Sequence, residues 1–205
     1  PPADPLPLLE RWLEDAKALP TPNPNAMTLA TVDADGTPSA RIVLLRGLGR
    51  EGARFFTNRN SRKGKALAAN ARAALLFHWD LLDRQVRIEG RVSLATDAES
   101  DEYFMHRPVD SRVNAWASDQ SEPVGSRDEL ERRAQAMTER FAGTDVLRPP
   151  HWGGYRVSLD RIEFWQGDKY RLHDRIVYVR DDSGGYGVQR LCPVRRAAPV
   201  SVSGS

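Results

Sequence analysis

Three short stretches of the 205-residue chain gather cations beside hydroxyls, amides and rings, and each could hold an anion. The first is Phe55-Phe56-Thr57-Asn58-Arg59-Asn60-Ser61-Arg62-Lys63. A strand pattern ends there in a polar turn, and a helix pattern opens with Ser61 as its cap and Arg62 and Lys63 in its first turn. Cations at that end oppose the helix dipole, so the placement costs stability unless an anion sits nearby. A phosphate would satisfy amides, hydroxyls and both side chains together, whereas the plain alternative is a solvated basic turn. The second stretch holds Tyr103, Arg107 and Ser111, whose spacing of four predicts successive turns of one helix or its continuation. A phenol, a guanidinium and a hydroxyl converging on one point would make another phosphate cradle; an exposed arginine and a capping serine would look the same. The third is Arg171-Leu172-His173-Asp174-Arg175. In a strand, Arg171, His173 and Arg175 share a face and Asp174 points away. Three potential cations then crowd together without a carboxylate, which favours a row facing a ligand over one facing solvent.

Other chemistry lacks its residues. There is no G-x-G-x-x-G after a strand pattern, no Walker A sequence and no G-x-S-x-G elbow. The four histidines, His78, His106, His151 and His173, lack metal-ligand spacing. The lone Cys192 cannot form an internal disulfide, which points to a reducing compartment, the cytoplasm. It ends an apolar strand pattern and reads as a buried, inert thiol. Thirty basic against 28 acidic residues leave a net charge of +2, so charge demands no nucleic-acid partner. No apolar run approaches the roughly 20 residues of a membrane span. At 40% hydrophobic and 28% charged, the composition is that of a folded globular chain rather than a disordered one.

The elements that must carry these residues are mostly strands. Asp4-Pro5 offers a helix start, and Leu9, Trp12, Leu13 and Ala16 follow at helical spacing. Residues 18–25, rich in proline and asparagine, predict a loop. Strands are predicted at 27–32 and 39–45, joined by the hairpin signature Asp33-Ala34-Asp35-Gly36. Further strands are predicted at 53–57, 73–79 and 85–94, with a short helix over 61–69. Helices follow over 97–105 and from the capping box Ser126-Arg127-Asp128-Glu129 to about Phe141. Strands return at 154–159, 161–165, 176–180 and 187–191. Hairpin succession without βαβ alternation predicts a mainly β, α+β chain: an antiparallel barrel with flanking helices. A single domain is expected over residues 1–193, with residues 194–205 a small, polar, disordered tail.

Taken jointly, these stretches resemble the pyridoxine/pyridoxamine 5′-phosphate oxidase family, flavin enzymes that make pyridoxal 5′-phosphate. The resemblance rests on Arg41-Ile42-Val43-Leu44-Leu45-Arg46 and on Phe56-Thr57-Asn58 with Ser61-Arg62-Lys63. It rests also on Glu163-Phe164-Trp165-Gln166-Gly167, on Arg171-Leu172-His173-Asp174-Arg175 and on Arg190-Leu191-Cys192-Pro193. It implies an FMN-binding split β-barrel acting as a homodimer, with flavin held between the two chains. By motif, the implied FMN contacts are Arg41, Ile42, Val43, Leu44, Leu45, Arg46, Phe56, Thr57, Arg62, Lys63, Gln85, Gln120, Ser121, Trp165 and Arg175. The substrate phosphate would fall to Arg46, Tyr103, Arg107 and Ser111. Arg171 and His173 would lie over the pyridine ring as the catalytic pair. Three positions depart from the family pattern: Arg46 replaces the usual lysine, Phe56 a frequent tyrosine, and Tyr186 a common tryptophan. The first exchanges a compact ammonium for a planar fork.

The implied reaction takes two electrons and two protons from the carbon beside the pyridine ring of a phosphorylated B6 vitamer, with dioxygen reduced to hydrogen peroxide. Two other readings share the barrel: a flavin oxidase of the phenazine-biosynthesis type, and a noncatalytic carrier or sensor of flavin, haem or pyridoxal phosphate. Arg107 and Ser111 favour the vitamin B6 reading, because a tricyclic carboxylate has no use for a phosphate-binding set.

Overall fold

The predicted opening helix forms as α1 (Leu6–Lys17) in the computed structural model, which describes residues 1–193. Leu9, Trp12, Leu13 and Ala16 are buried along one side of it. The Asp4 carboxylate accepts the Leu6 amide at 3.0 Å, and Pro5 occupies the cap position, where a missing N–H costs nothing. Each large apolar side chain on that face contributes about 1.5–3 kcal/mol by leaving water. Trp12 also meets Phe164 edge-on at 5.2 Å, which locks the helix against the sheet.

Ten strands then build a curled antiparallel sheet. β1 (Ala26–Val32) and β2 (Pro38–Leu44) form the hairpin expected from Asp33 to Gly36, with Met27 opposite Val43 and Leu29 opposite Arg41. β3 (Gly47–Gly49) and β4 (Gly52–Asn58) make a second, tighter hairpin. β3 had no strand signature, being three residues with glycine at both ends. After α2 (Arg62–Ala69) come β5 (Arg72–Trp79) and β6 (Arg84–Leu94). The sheet closes with β7 (Trp152–Val157), β8 (Arg161–Gln166), β9 (Asp174–Arg180) and β10 (Tyr186–Arg190). Its order is β10-β9-β8-β6-β5-β1-β2, with β7 bridging β6 to β4.

The eleven-residue β6 serves both halves. Its first part pairs with β8 and its last with β7, and the strand turns between them at Gly90. A Cβ there would lie 1.9 Å from the Ser158 carbonyl oxygen, so only glycine lets the two segments cross. Alternate residues point inward along the strands, and Leu29, Phe55, Leu75, Phe77, Val86, Ile88, Ile162 and Phe164 fill the core with the α1 face.

Three more helices cover the open side: α3 (Asp97–Met105), α4 (Val109–Ala117) and α5 (Arg127–Arg140). The box expected at Ser126 is half formed, because Ser126 accepts the Glu129 amide while the Glu129 carboxylate takes the Gly125 amide instead. A complete box stands at Thr96 and Glu99, at the start of α3. Cys192 corrects another expectation: it lies past the end of β10 and is exposed, since β10 is the sheet's outer strand and carries no covering layer there. The tail expected to be disordered, 194–205, lies outside the described residues. Among those residues no helix is long and apolar enough to cross a membrane.

Candidate active site

A cavity of about 460 Å³ opens between β2, β4 and the helices on the open side. β2 supplies Ile42, Val43 and Leu44, with Arg46 just beyond; β4 supplies Phe56, Thr57 and Asn58. Lys63 enters from α2, Tyr103 from α3, and Ser111 and Asn114 from α4, while Gln120 and Trp152 complete the wall. Arg107 reaches it from between two helices. Three cations therefore line the space, and no carboxylate is among the described residues that do.

Tyr103, Arg107 and Ser111 do meet, on the expected helix and on its continuation after a break. α3 ends at Met105, and Pro108, which has no N–H to continue the ladder, caps α4. Arg107 sits in the link, held by its backbone N–H on the Phe104 carbonyl at 3.1 Å. Its guanidinium lies 4.8 Å over the Trp152 ring and 5.5 Å from Phe104. The Nη1 atom is buried without a hydrogen-bond partner. Burial pushes the Arg107 pKa down; Tyr103 opposes this and Arg46 adds to it. Tyr103 in turn stacks on Phe56 at 4.2 Å, with the Arg46 guanidinium 5.7 Å from its ring. An orphaned charged donor in a cavity without acids suits a phosphate ester, which supplies the absent acceptors.

The first cradle divides in two. Ser61 caps α2 as expected, accepting the Gly64 amide and donating its hydroxyl to the Asn58 carbonyl at 2.7 Å. Lys63 faces the cavity, its Nζ 3.3 Å from the Thr57 and Ser61 hydroxyls and 3.2 Å from Gln120 Oε1. Burial, then the charge of Arg41, lowers its pKa. Arg62 turns the other way, onto Asp33 at 2.7 Å, and shares a neighbouring depression with Ser121. Arg41 is likewise committed, donating to the Thr31 and Ser39 hydroxyls at 2.7 and 2.6 Å. Neither Arg41 nor Leu45 lines the cavity.

A second group gathers elsewhere on the sheet. Gln85 on β6 stands opposite Trp165 on β8, which stands opposite Arg175 on β9. β1 and β5 separate these strands from β2. His173 packs its ring 4.7 Å from Trp165, and its Nδ1 accepts the Asp168 amide, so in the neutral ring Nε2 carries the proton.

The row expected of Arg171, His173 and Arg175 does not form. Residues Lys169–Arg171 make a 3₁₀ turn, with Tyr170 and Arg171 left-handed at φ 57° and 63°, and β9 begins only at Asp174. The reversal takes Arg171 out of the strand and leaves it exposed. Nor is Arg175 uncompensated, since it pairs with the buried Glu163 at 2.6 Å. Sequence reasoning missed that carboxylate. It also missed Asn114, legible as the residue three beyond Ser111 on one helix face, and Trp152, which no local pattern announces.

The family model described as pyridoxamine 5′-phosphate oxidase matches residues 13–141, and the pyridoxine 5′-phosphate oxidase C-terminal dimerisation region matches residues 152–193. A pyridoxine/pyridoxamine 5′-phosphate oxidase of Burkholderia multivorans is 57% identical over 192 residues, 93% of this chain and 89% of that protein. One of Cupriavidus necator is 57% identical over 190 residues, with the same shares. Among solved structures, PhzG from Burkholderia lata, in complex with tetrahydrophenazine-1-carboxylic acid, superposes with a TM-score of 0.88 at 32% identity, covering 94% of each chain. A pyridoxamine 5′-phosphate oxidase-related, FMN-binding protein of Nostoc punctiforme shares the fold, with a TM-score of 0.73 at 15% identity, over 94% of this chain and 100% of that one. The split-barrel architecture expected from the sequence is thus the observed one, and by these matches the chain belongs to the pyridoxamine 5′-phosphate oxidase family of oxidoreductases.

Proposed function

We propose that this enzyme converts pyridoxamine 5′-phosphate or pyridoxine 5′-phosphate to pyridoxal 5′-phosphate, with FMN as cofactor and dioxygen reduced to hydrogen peroxide. The observation that carries the reading is the cavity walled by Arg46, Lys63 and Arg107 with no carboxylate among the described residues that line it. Two phosphate esters supply the matching charge. Lys63, Thr57 and Gln120 suit the cofactor's phosphate, while Arg46, Tyr103, Arg107 and Ser111 suit the substrate's. FMN, when bound, supplies a reversible acceptor for two electrons, which no side chain offers.

The chain's own residues bind and orient. Trp152 lies under the Arg107 guanidinium and Phe56 stacks on the Tyr103 ring, so both donors are held in place before the ester arrives. Arg171 and His173 orient the amine or alcohol, and His173 exchanges a proton at Nε2. His173 belongs to the second group and Arg171 to the exposed turn beside it, and neither lines the cavity of its own chain. The match to a dimerisation region therefore supports a homodimer in which the partner subunit's second group completes the site, with flavin between the chains. A single cysteine suits a reducing compartment, and the reading places the enzyme in the cytoplasm.

The likeness to PhzG favours a second reading, oxidation of a reduced phenazine carboxylate, but the B6-named relatives at 57% identity weigh more. Anaerobic mixing of the yellow protein with pyridoxamine 5′-phosphate tests both. Bleaching of the flavin band, with aldehyde formed and one peroxide per turnover on admitting air, is expected. A protein bleached by a reduced phenazine carboxylate alone would belong to the second reading.

A further inference from the structure

The mechanism makes no use of Glu163, although it is 3% exposed and sits in the middle of β8. Both of its oxygens are engaged. Oε1 accepts from Nε and Nη2 of Arg175 at 2.8 and 2.6 Å, and Oε2 accepts from Nη2 of Arg87 at 2.7 Å. Strand register explains the meeting: Glu163 lies opposite Arg87 on β6, and Arg175 lies opposite Trp165, two residues further along the same face. Arg87 is itself restrained by a second ion pair, to Glu89 at 2.8 Å. Such an arrangement adds little to stability, since the desolvation of a buried carboxylate offsets most of its attraction to the arginines. What it does supply is direction. With Nε and Nη2 of Arg175 both turned to Oε1, the guanidinium has one orientation, and Nη1 is left outside the pairing. On the next strand, Asp174 pairs with Arg190, so the start of β9 is gripped from both sides where the left-handed turn of Tyr170 and Arg171 leads into it.

We propose that Glu163 is a positioning residue of the cofactor site: its buried carboxylate, anchored by Arg87, fixes the Arg175 guanidinium in the orientation that receives FMN. This rests on the reading that Arg175 contacts FMN. The test is release of FMN from the diluted holoprotein, followed by the rise of flavin fluorescence, in Glu163→Gln, Arg175→Met and the double variant. Glu163→Gln is expected to weaken FMN retention about tenfold, and the double variant to be no weaker than Arg175→Met, because Glu163 acts only through the arginine. Additive losses, or unchanged retention in Glu163→Gln, would overturn the proposal. If Arg175→Met itself retains FMN normally, Arg175 is not a flavin contact, and that reading and this proposal fall together. Should Glu163→Gln not fold, Glu163→Asp keeps the charge but withdraws it by one methylene. Its retention must then fall as well, and a value equal to the parent's counts against the proposal.

Discussion

The cavity wall and the β6-β8-β9 surface are both rich in arginine, yet they are built on opposite electrostatic plans. Along the cavity, Arg46, Lys63 and Arg107 stand among aromatic rings and neutral polar groups. On the sheet, Arg87 and Arg175 share the carboxylate of Glu163. Cations left without acids keep their affinity for an incoming anion. Cations matched by an acid give up part of that affinity and gain a fixed direction, as Nε and Nη2 of Arg175 do on Glu163. The partner, not the residue type, decides whether an arginine meets a ligand by charge alone or by a set orientation.

Substitutions can break that contrast. The largest effect is expected at Arg107, where alanine should raise KM for the phosphorylated substrate about 100-fold while the purified protein stays yellow. Colour lost along with substrate affinity would merge the two cradles into one. Lys63→Met comes next, with FMN retention about tenfold weaker, as for a lost charge-assisted contact. The pH dependence sharpens this. The folded Lys63 pKa lies below its unfolded value, so anion-free protein gains stability as pH rises through the folded pKa, the unfolded chain binding the extra proton. An anion prefers the protonated lysine, so FMN retention should weaken over the same rise, and Lys63→Met should flatten that slope in a retention titration. Trp152→Phe trims the plate under Arg107, and a KM increase of about fivefold with kcat unchanged is expected from steady-state assays. The smallest effect belongs to Arg62→Ala. Its exposed pairing with Asp33 predicts FMN retention within about threefold of the parent, and a loss as large as that of Lys63→Met would return Arg62 to the cradle.

The backbone elements were legible where short-range chemistry decides them. Asp35-Gly36 turned the first hairpin, the Leu9, Trp12, Leu13 and Ala16 stripe drew α1, and Ser61 capped α2. The cavity residues Tyr103, Arg107, Ser111 and Lys63 were legible too, from residue type and spacing. The break before α4 has its signal in Pro108, and the spacing of four from Tyr103 to Ser111 carries across it. The turn at Tyr170 and Arg171 had none, because neither is a glycine or asparagine and their left-handed geometry is imposed from outside. The pairing of Glu163 with Arg87 joins strands far apart in sequence, and which residues of the neighbouring β9 it meets becomes visible only once register is known.

A pocket walled by fixed positive charge will collect whatever small oxyanion the medium offers. Inorganic phosphate in a purification buffer, or sulfate carried from a precipitation step, should raise the unfolding temperature of flavin-free protein by mass action. The same ions should slow reconstitution and inflate apparent KM values in competition with both esters. Assays in an amine buffer with chloride as the counter-ion are therefore the ones in which the chemistry of this enzyme can be read without an uninvited ligand.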